Sequence, residues 1–240
     1  MIDSLKHPLI ETIRNLKGSH QQYFIIDNPL YLQWLMASNN PQYSIEFVLF
    51  TDENLLKQFP LPKKFMVKSS IIHHITGKKL LLMAYVKINY NINFDGNIVI
   101  LDNVVDYGNM GSIVRNSYMM GTNNFIFIND FNIFHNKVID SSRGLIFFSN
   151  IIVFKNIEEG LKILESYDYH LIITNFQGNG LKKINDKWAL LLGNETNGYN
   201  ILADNYPNKS YVTIPMKINN QCDFINVAAI GAIIVYFYNN

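Results

Sequence analysis

The chain holds one cysteine, Cys222, in 240 residues. A single thiol excludes an internal disulfide framework and any metal site built from several cysteines, and it suits an intracellular, cytoplasmic protein. Charge is sparse too: Asp, Glu, Lys and Arg make up 16% against 48% hydrophobic residues, which excludes a disordered, self-repelling chain. Long hydrophobic runs are missing. The longest, "NVAAIGAIIVYFY" from Asn226 to Tyr238, has thirteen residues, where a membrane span needs roughly twenty, so a buried helix and no membrane partner are expected. The opening "MIDSLKHPLIETIRNLKGS" has no apolar stretch of signal-peptide length, so no export signal is expected. There is no Walker phosphate loop, zinc-ligand spacing or nucleophile elbow. "QGNG", Gln177 to Gly180, is too short for a dinucleotide fingerprint, and the His73-His74 pair lacks a third ligand, so no metal is expected. Arginine is the scarcest cation, with only Arg14, Arg115 and Arg143 among twenty basic residues.

What is present falls into two blocks. Residues 1–90 carry ten Lys/Arg against six Asp/Glu, and residues 91–240 carry ten against thirteen, so the modest net charge of +1 hides a mildly basic first block. In that block "YFIID", "IEFVLF", "KFMVK" and "LLLMAYV" read as short buried strands. "LIETIRNL", "NPLYLQWLMAS" and "SSIIHHITG" read as helices between them, which predicts a small α/β unit. "KINYNINFDG", Lys87 to Gly96, has no clean period and ends in a turn signal, so the linker is expected there. The second block repeats the rhythm with strands "NIVILD", "NFIFIN", "LIITN", "WALLLG" and "YVTIP". Its helices are expected at Gly111–Met120, "NIEEGLKILESY" and the C-terminal run. Near-continuous apolar strands predict a parallel sheet covered on both faces, and ligands of such sheets settle beyond the carboxyl ends of the strands.

Three turns at those ends stand out. In "DYGNMGSIVR", Gly108 and Gly111 would let the backbone turn, Asn109 would cap the helix, and Arg115 would stand about one turn into it. As residues alone they read first as a helix cap and a surface arginine paired to a carboxylate. In "LLLGNETNGYN", Gly193 ends a buried strand, and Glu195 can hold a hydroxyl or a guanidinium, or serve as a helix N-terminal charge. In "VTIPMKINNQCDFINVAAIGA", Pro215 stops a strand and Asn226 opens a helix of small residues.

The order and spacing of these turns carry a resemblance. "LDNVVDYGNMGSIVRNS" resembles the first motif of the SpoU (TrmH-like) branch of the SPOUT RNA methyltransferases: Leu-Asp, a short gap, Gly-Asn-x-Gly, and an arginine four residues on. "LLLGNETNG" is similar to the second motif and "TIPMKINNQCDFINVAAIGAIIVY" to the third. "SSRGLIFFSN" is similar to a segment of the thiostrepton-resistance ribosomal RNA methyltransferases, and "FIIDNPLYLQWL" with "MVKSSIIHHITGKKLLLMAYV" resembles that group's ribosomal-protein-like substrate domain.

The resemblance implies an α/β chain with an RNA substrate-binding domain at 1–90 and a SPOUT methyltransferase domain at 91–240, the latter tied in a deep trefoil knot. It implies a homodimer that uses S-adenosyl-L-methionine to methylate a ribose 2′-hydroxyl of RNA, ribosomal RNA first and transfer RNA second. By position, Gly193, Ile214 and Ile225 would line the adenosine pocket, with Asn194, Met216, Thr174 and Asn175 nearby. A guanidinium is protonated at all ordinary pH, so Arg115 is expected to grip the ribose-phosphate and stabilise the oxyanion rather than act as a base. Asn109 and Glu195 would orient it, and Asn226 would shape the site. Lys63, Lys64, Lys78, Lys79 and Arg143 would meet RNA phosphates. One departure stands out: where the third motif usually reads Ser-Leu-Asn, this chain has Phe224-Ile225-Asn226. Replacing the serine hydroxyl with a ring opens a second reading, a protein that binds RNA or cofactor without methylating.

Overall fold

A computed structural model describes residues 1–15, 22–90, 95–129, 131–215 and 225–240. The chain divides into two units, Met1–Asn91 and Ile92–Asn240.

The first unit runs α1 (Pro8–Asn15), β1 (Tyr23–Ile26), α2 (Pro29–Ser38), β2 (Tyr43–Phe50), α3 (Glu53–Gln58), β3 (Lys64–Met66), α4 (Ser69–Thr76) and β4 (Leu82–Ile88). Its sheet has the order β1-β4-β2-β3, antiparallel except for the parallel β2–β3 pair. Ile10 and Ile13 of α1 and Ile71 and Ile72 of α4 are buried with Phe47, Leu49, Met83 and Tyr85 of the strands. Two helix starts follow from simple chemistry. Asn28 accepts from Leu30 N ahead of Pro29, and Asp52 accepts from Leu55 N. Helix α3 is not expected from the sequence, because six residues give the apolar period less than two turns in which to show.

The second unit runs β5 (Ile98–Asp102), α5 (Tyr107–Met119), β6 (Asn124–Ile128), α6 (Asn136–Ser142), β7 (Asn150–Phe154), α7 (Ile157–Ser166), β8 (His170–Asn179), β9 (Trp188–Leu192), β10 (Lys209–Val212) and α8 (Val227–Asn239). The strand order is β10-β8-β9-β5-β6-β7, and every pairing is parallel, as the unbroken apolar runs predict. Every residue of β5, β6 and β9 is buried. Successive side chains face opposite ways. Ile98, Ile100, Ile126, Leu171 and Leu191 pack with Ile157 and Leu164 of α7. On the other face Leu192 lies under Gly231 of α8. β7 and α6, which overlap the two ends of "SSRGLIFFSN", are not among the elements expected from the sequence.

The start of α5 differs from expectation. The helix begins at Tyr107, and its cap is Asp106, whose Oδ1 accepts from Asn109 N at 2.8 Å. Asn109 is therefore the third helical residue and not the cap, and Gly108 and Gly111 lie inside the helix rather than in a turn. A Cβ on Gly111 would stand 2.5 Å from the Val138 carbonyl oxygen and 2.9 Å from Ser142 N. Glycine is needed there because the backbone of α6 crosses against it. Strand β10 also ends earlier than expected, at Val212, three residues before Pro215.

Candidate functional site: a cleft beyond the sheet

The middle of β8, the ends of β9 and β10 and the segments that follow β9 and β10 enclose a cavity of about 590 Å³. Gly193, Asn194 and Glu195 come from the loop after β9, Thr174 and Asn175 from β8, and Ile214 from the segment after β10. Ile225 and Asn226 precede α8 and close the remaining side. Eight sequence-predicted residues therefore meet in one hollow. Met216, also expected there, and Phe224 lie outside the described residues.

The loop after β9 is tightly built. Asn194 and Gly198 exchange two backbone hydrogen bonds of 2.9 Å, with Gly198 at φ +74°. The Asn194 Oδ1 accepts from Thr196 N and Asn197 N, both at 2.9 Å. A Cβ on Gly193 would come within 2.5 Å of the Gly198 carbonyl carbon, so the loop folds back across a position that only glycine leaves open.

Two tethers fix this loop to the end of β5. The buried Asp102 accepts from Asn200 N at 2.6 Å and from Asn103 Nδ2 at 2.9 Å. Asn194 Nδ2 donates to the Asn103 carbonyl at 2.8 Å, and Asn103 itself sits at φ +53°. Burial raises the Asp102 pKa above its ordinary value, against the two hydrogen bonds that lower it. The first motif thus reaches the pocket through the Asn103 carbonyl, while its aspartate holds the far end of the loop.

At the rim, three polar side chains from distant parts of the chain join. Asn109 Nδ2 donates to Glu195 Oε1 at 2.6 Å, and Asn226 Nδ2 donates to Asn109 Oδ1 at 2.8 Å. Asn226 also caps α8, accepting from Ala228 N at 2.9 Å. Asn109 donates through its nitrogen and accepts through its oxygen, so its loss alone breaks both links. On the far wall Tyr199, which nothing in the residue pattern singles out, donates to Asp204 Oδ1 at 3.0 Å. Tyr211 donates to the same oxygen at 2.7 Å. That hydrogen bond pushes the Tyr211 phenol up to about 12, with burial adding to it.

Arg115 stands apart from this cluster. It follows Gly108 by seven residues and Gly111 by four, which puts it on the helical stripe that faces α6, and it does not line the cavity. It is exposed, and its side chain makes no hydrogen bond or ion pair among the described residues. It stands more than two turns from the cap rather than one. Of the expected RNA contacts, Lys63, Lys78, Lys79 and Arg143 are exposed. Lys64 is instead a structural residue. Its ammonium donates to the carbonyls of Leu56 at 2.9 Å and Phe59 at 2.8 Å, closing the end of α3. Among the described residues no cluster of His, Cys, Asp or Glu has the makings of a metal site, and no helix is long and apolar enough to cross a membrane.

Comparison with known proteins gives a consistent result. Residues 96–236 match the model of the SpoU rRNA Methylase family. The chain is 30% identical over 139 residues to the 23S rRNA (adenosine(1067)-2′-O)-methyltransferase of Streptomyces azureus, which covers 55% of this chain and 50% of that one. It thus spans about half the length of that curated relative. Over the whole chain, the fold is similar to a putative RNA methyltransferase of the TrmH family from Porphyromonas gingivalis, with TM-score 0.75, 20% identity and 97% of each chain covered. It is similar also to the SpoU methyltransferase AviRb from Streptomyces viridochromogenes, solved in complex with AdoMet, with TM-score 0.73, 17% identity and 96% of each chain covered. At these identities the two structures establish the shared fold.

Proposed function

The chain belongs to the SpoU rRNA methylase family, and we propose that it transfers a methyl group from S-adenosylmethionine to a ribose 2′-hydroxyl of RNA, with 23S ribosomal RNA as the substrate. The observation that carries this reading is the meeting of Gly193, Ile214 and Ile225 with the Asn109–Glu195–Asn226 chain around one cavity.

The cavity suits the donor. Its volume of about 590 Å³ lies in the range of small-molecule sites, and Leu192, Ile214, Ile225 and Ile230 supply apolar walls for a purine. The loop at Gly193, folded back on Gly198, leaves room for a ligand against backbone. Bound there, the donor supplies an electrophilic methyl on a sulfonium.

The protein's part is alignment and charge. Glu195 and Asn226, linked through Asn109, form a polar edge beside the apolar walls, where a ribose hydroxyl would be held in line with the methyl. The developing oxygen charge needs a cation. In one chain Arg115 faces α6 and not the cavity, so the guanidinium at the site belongs to a second copy, and the working form is a homodimer. The exposed apolar groups of α8 and α5, Ile233, Tyr236 and Met119, support such a face. The knot of the family is part of this proposal: Ile225 and Asn226 return beside the loop after β9 with the segment after β10 on the same cavity. RNA would be held by Lys63, Lys78, Lys79 and Arg143.

Two measurements test the reading. Radiolabelled methyl transfer to unmodified 23S rRNA, with the modified ribose mapped, is expected for the wild type, and its absence across 23S rRNA and transfer RNA would refute the activity. Arg115→Ala and Asn226→Ala, each inactive alone, are expected to regain about a quarter of wild-type activity when unfolded and refolded together, because a mixed dimer keeps one complete site. No regain, with mixed dimers shown to form, would refute the shared site.

A further inference from the structure

The first turn of α5 has two sides. Asn109 faces the cavity through Glu195. Tyr107, two residues earlier and so about 200° away around the helix, faces the start of α6. There its ring stacks on that of His135, with centroids 4.3 Å apart and planes inclined by 12°.

This pair is unlike the stacked rings of the core. His135 is exposed although Tyr107 covers one of its faces, so its other face and its edge meet solvent. Its Nδ1 accepts from Lys137 N at 3.2 Å, capping α6. In the neutral ring the proton must then reside on Nε2, the atom remote from that cap, leaving an outward donor. The pair is also braced. Lys137 Nζ bonds Asp106 Oδ2 at 2.9 Å, so the cap of α5 is joined to the first turn of α6, next to the residues that carry the two rings. A rigid, half-open pair of rings with an edge donor matches what splayed RNA bases stack upon.

We propose that Tyr107 and His135 form a stacking platform for the base of a nucleotide next to the one methylated, with His135 Nε2 donating a hydrogen bond to it. The inference rests on the RNA reading above and adds where the neighbouring nucleotide is held. The helix is roughly 10 Å across, so a ribose beside Asn109 and a base beside Tyr107 belong to adjacent positions of one strand that wraps the end of α5.

The test uses His135→Asn, which keeps a capping oxygen but no ring, with Tyr107→Leu and Tyr107→Phe. Affinity for an unmodified 23S rRNA transcript is measured by filter binding, KM and kcat by methyl transfer, and S-adenosylmethionine binding by calorimetry. His135→Asn and Tyr107→Leu are each expected to weaken RNA binding and raise its KM about tenfold, the scale of one lost base stack. kcat at saturating RNA and the S-adenosylmethionine affinity should hold, and Tyr107→Phe should behave as wild type. Unchanged RNA affinity in both ring-deleted proteins overturns the platform, as does a Tyr107→Phe loss equal to that of Tyr107→Leu. If rings govern RNA binding but no methyl is transferred, the stacking site stands, and its place beside a methylated nucleotide falls with the activity. If methyl is transferred without dependence on the rings, the platform falls alone. A wild type that binds no rRNA overturns both.

Discussion

Asn109 and Glu195, 86 residues apart, are joined by a hydrogen bond of 2.6 Å from Asn109 Nδ2 to Glu195 Oε1. The same asparagine accepts from Asn226, so a helix end, a post-strand loop and the start of the last helix share one side chain. Asn109→Ala removes both bonds without entering the apolar wall. Methyl transfer is expected to fall about a hundredfold, the scale of one lost transition-state hydrogen-bonding group, while S-adenosylmethionine affinity by calorimetry stays within about threefold. A larger loss of affinity than of turnover would show that Asn109 serves the pocket's shape instead.

Gly111→Ala separates the two roles of a helical glycine. Alanine raises intrinsic helix propensity by about 1 kcal/mol. Its methyl, however, would meet the α6 backbone at 2.5 and 2.9 Å, and backbone does not swing aside as a side-chain tip does. Net destabilisation of about 1–3 kcal/mol is expected from overpacking, read from urea midpoints. A stabilised protein would show that α6 is free to move away.

Asp102 predicts a pH dependence. Its native pKa is raised above the ordinary 3.8, with burial the largest cause. The native chain therefore holds this proton more tightly than the unfolded one. The favourable contribution is complete below the unfolded value and is lost as pH rises through the raised native value. Asparagine at this position does not titrate, and its oxygen can still accept from Asn200 N. The stability of Asp102→Asn relative to wild type should therefore increase as pH rises across that acid range in urea titrations, and a difference that stays flat there would contradict the assignment.

Two lysines of the first unit should part company. Lys64→Ala frees two carbonyls at the end of α3 and is expected to cost about 1 kcal/mol of stability. Lys78→Ala should leave stability alone and reduce the salt slope of rRNA binding by about one. Equal behaviour of the two variants in both assays would remove the distinction.

Much of this can be read in the residues, and the failures have local causes. The parallel sheet is legible because β5, β6 and β9 are apolar at nearly every position, which only a sheet covered on both faces requires. The pocket loops are legible because Gly193 and Asn226 sit where strands end or helices begin. The cap at Asp106 is easily misread because "DYGN" offers two good capping residues three apart, and the structure uses the earlier one, which Lys137 of α6 also holds. Tyr199 leaves no signal, since its hydroxyl matters through Asp204, five residues away around a 3₁₀ turn. That Arg115 lies off the cavity is hidden for a similar reason. Its side of the helix depends on where α5 begins.

The strand order bears on how the molecule comes into being. β8 is synthesised before β9 but lies beyond it, so β8 has no place beside β5 until β9 exists to fill the gap. During translation the half-sheet β5-β6-β7 can assemble as it emerges, but β8 must wait in an unpaired state. Distant parallel pairings form slowly, and β8, β9 and β10 would dock almost together, with the cavity complete once Ile225, Asn226 and α8 close its remaining side. Any small molecule that prefers the finished cavity then pulls that event to completion by mass action, so the methyl donor would double as a maturation ligand for a newly made chain.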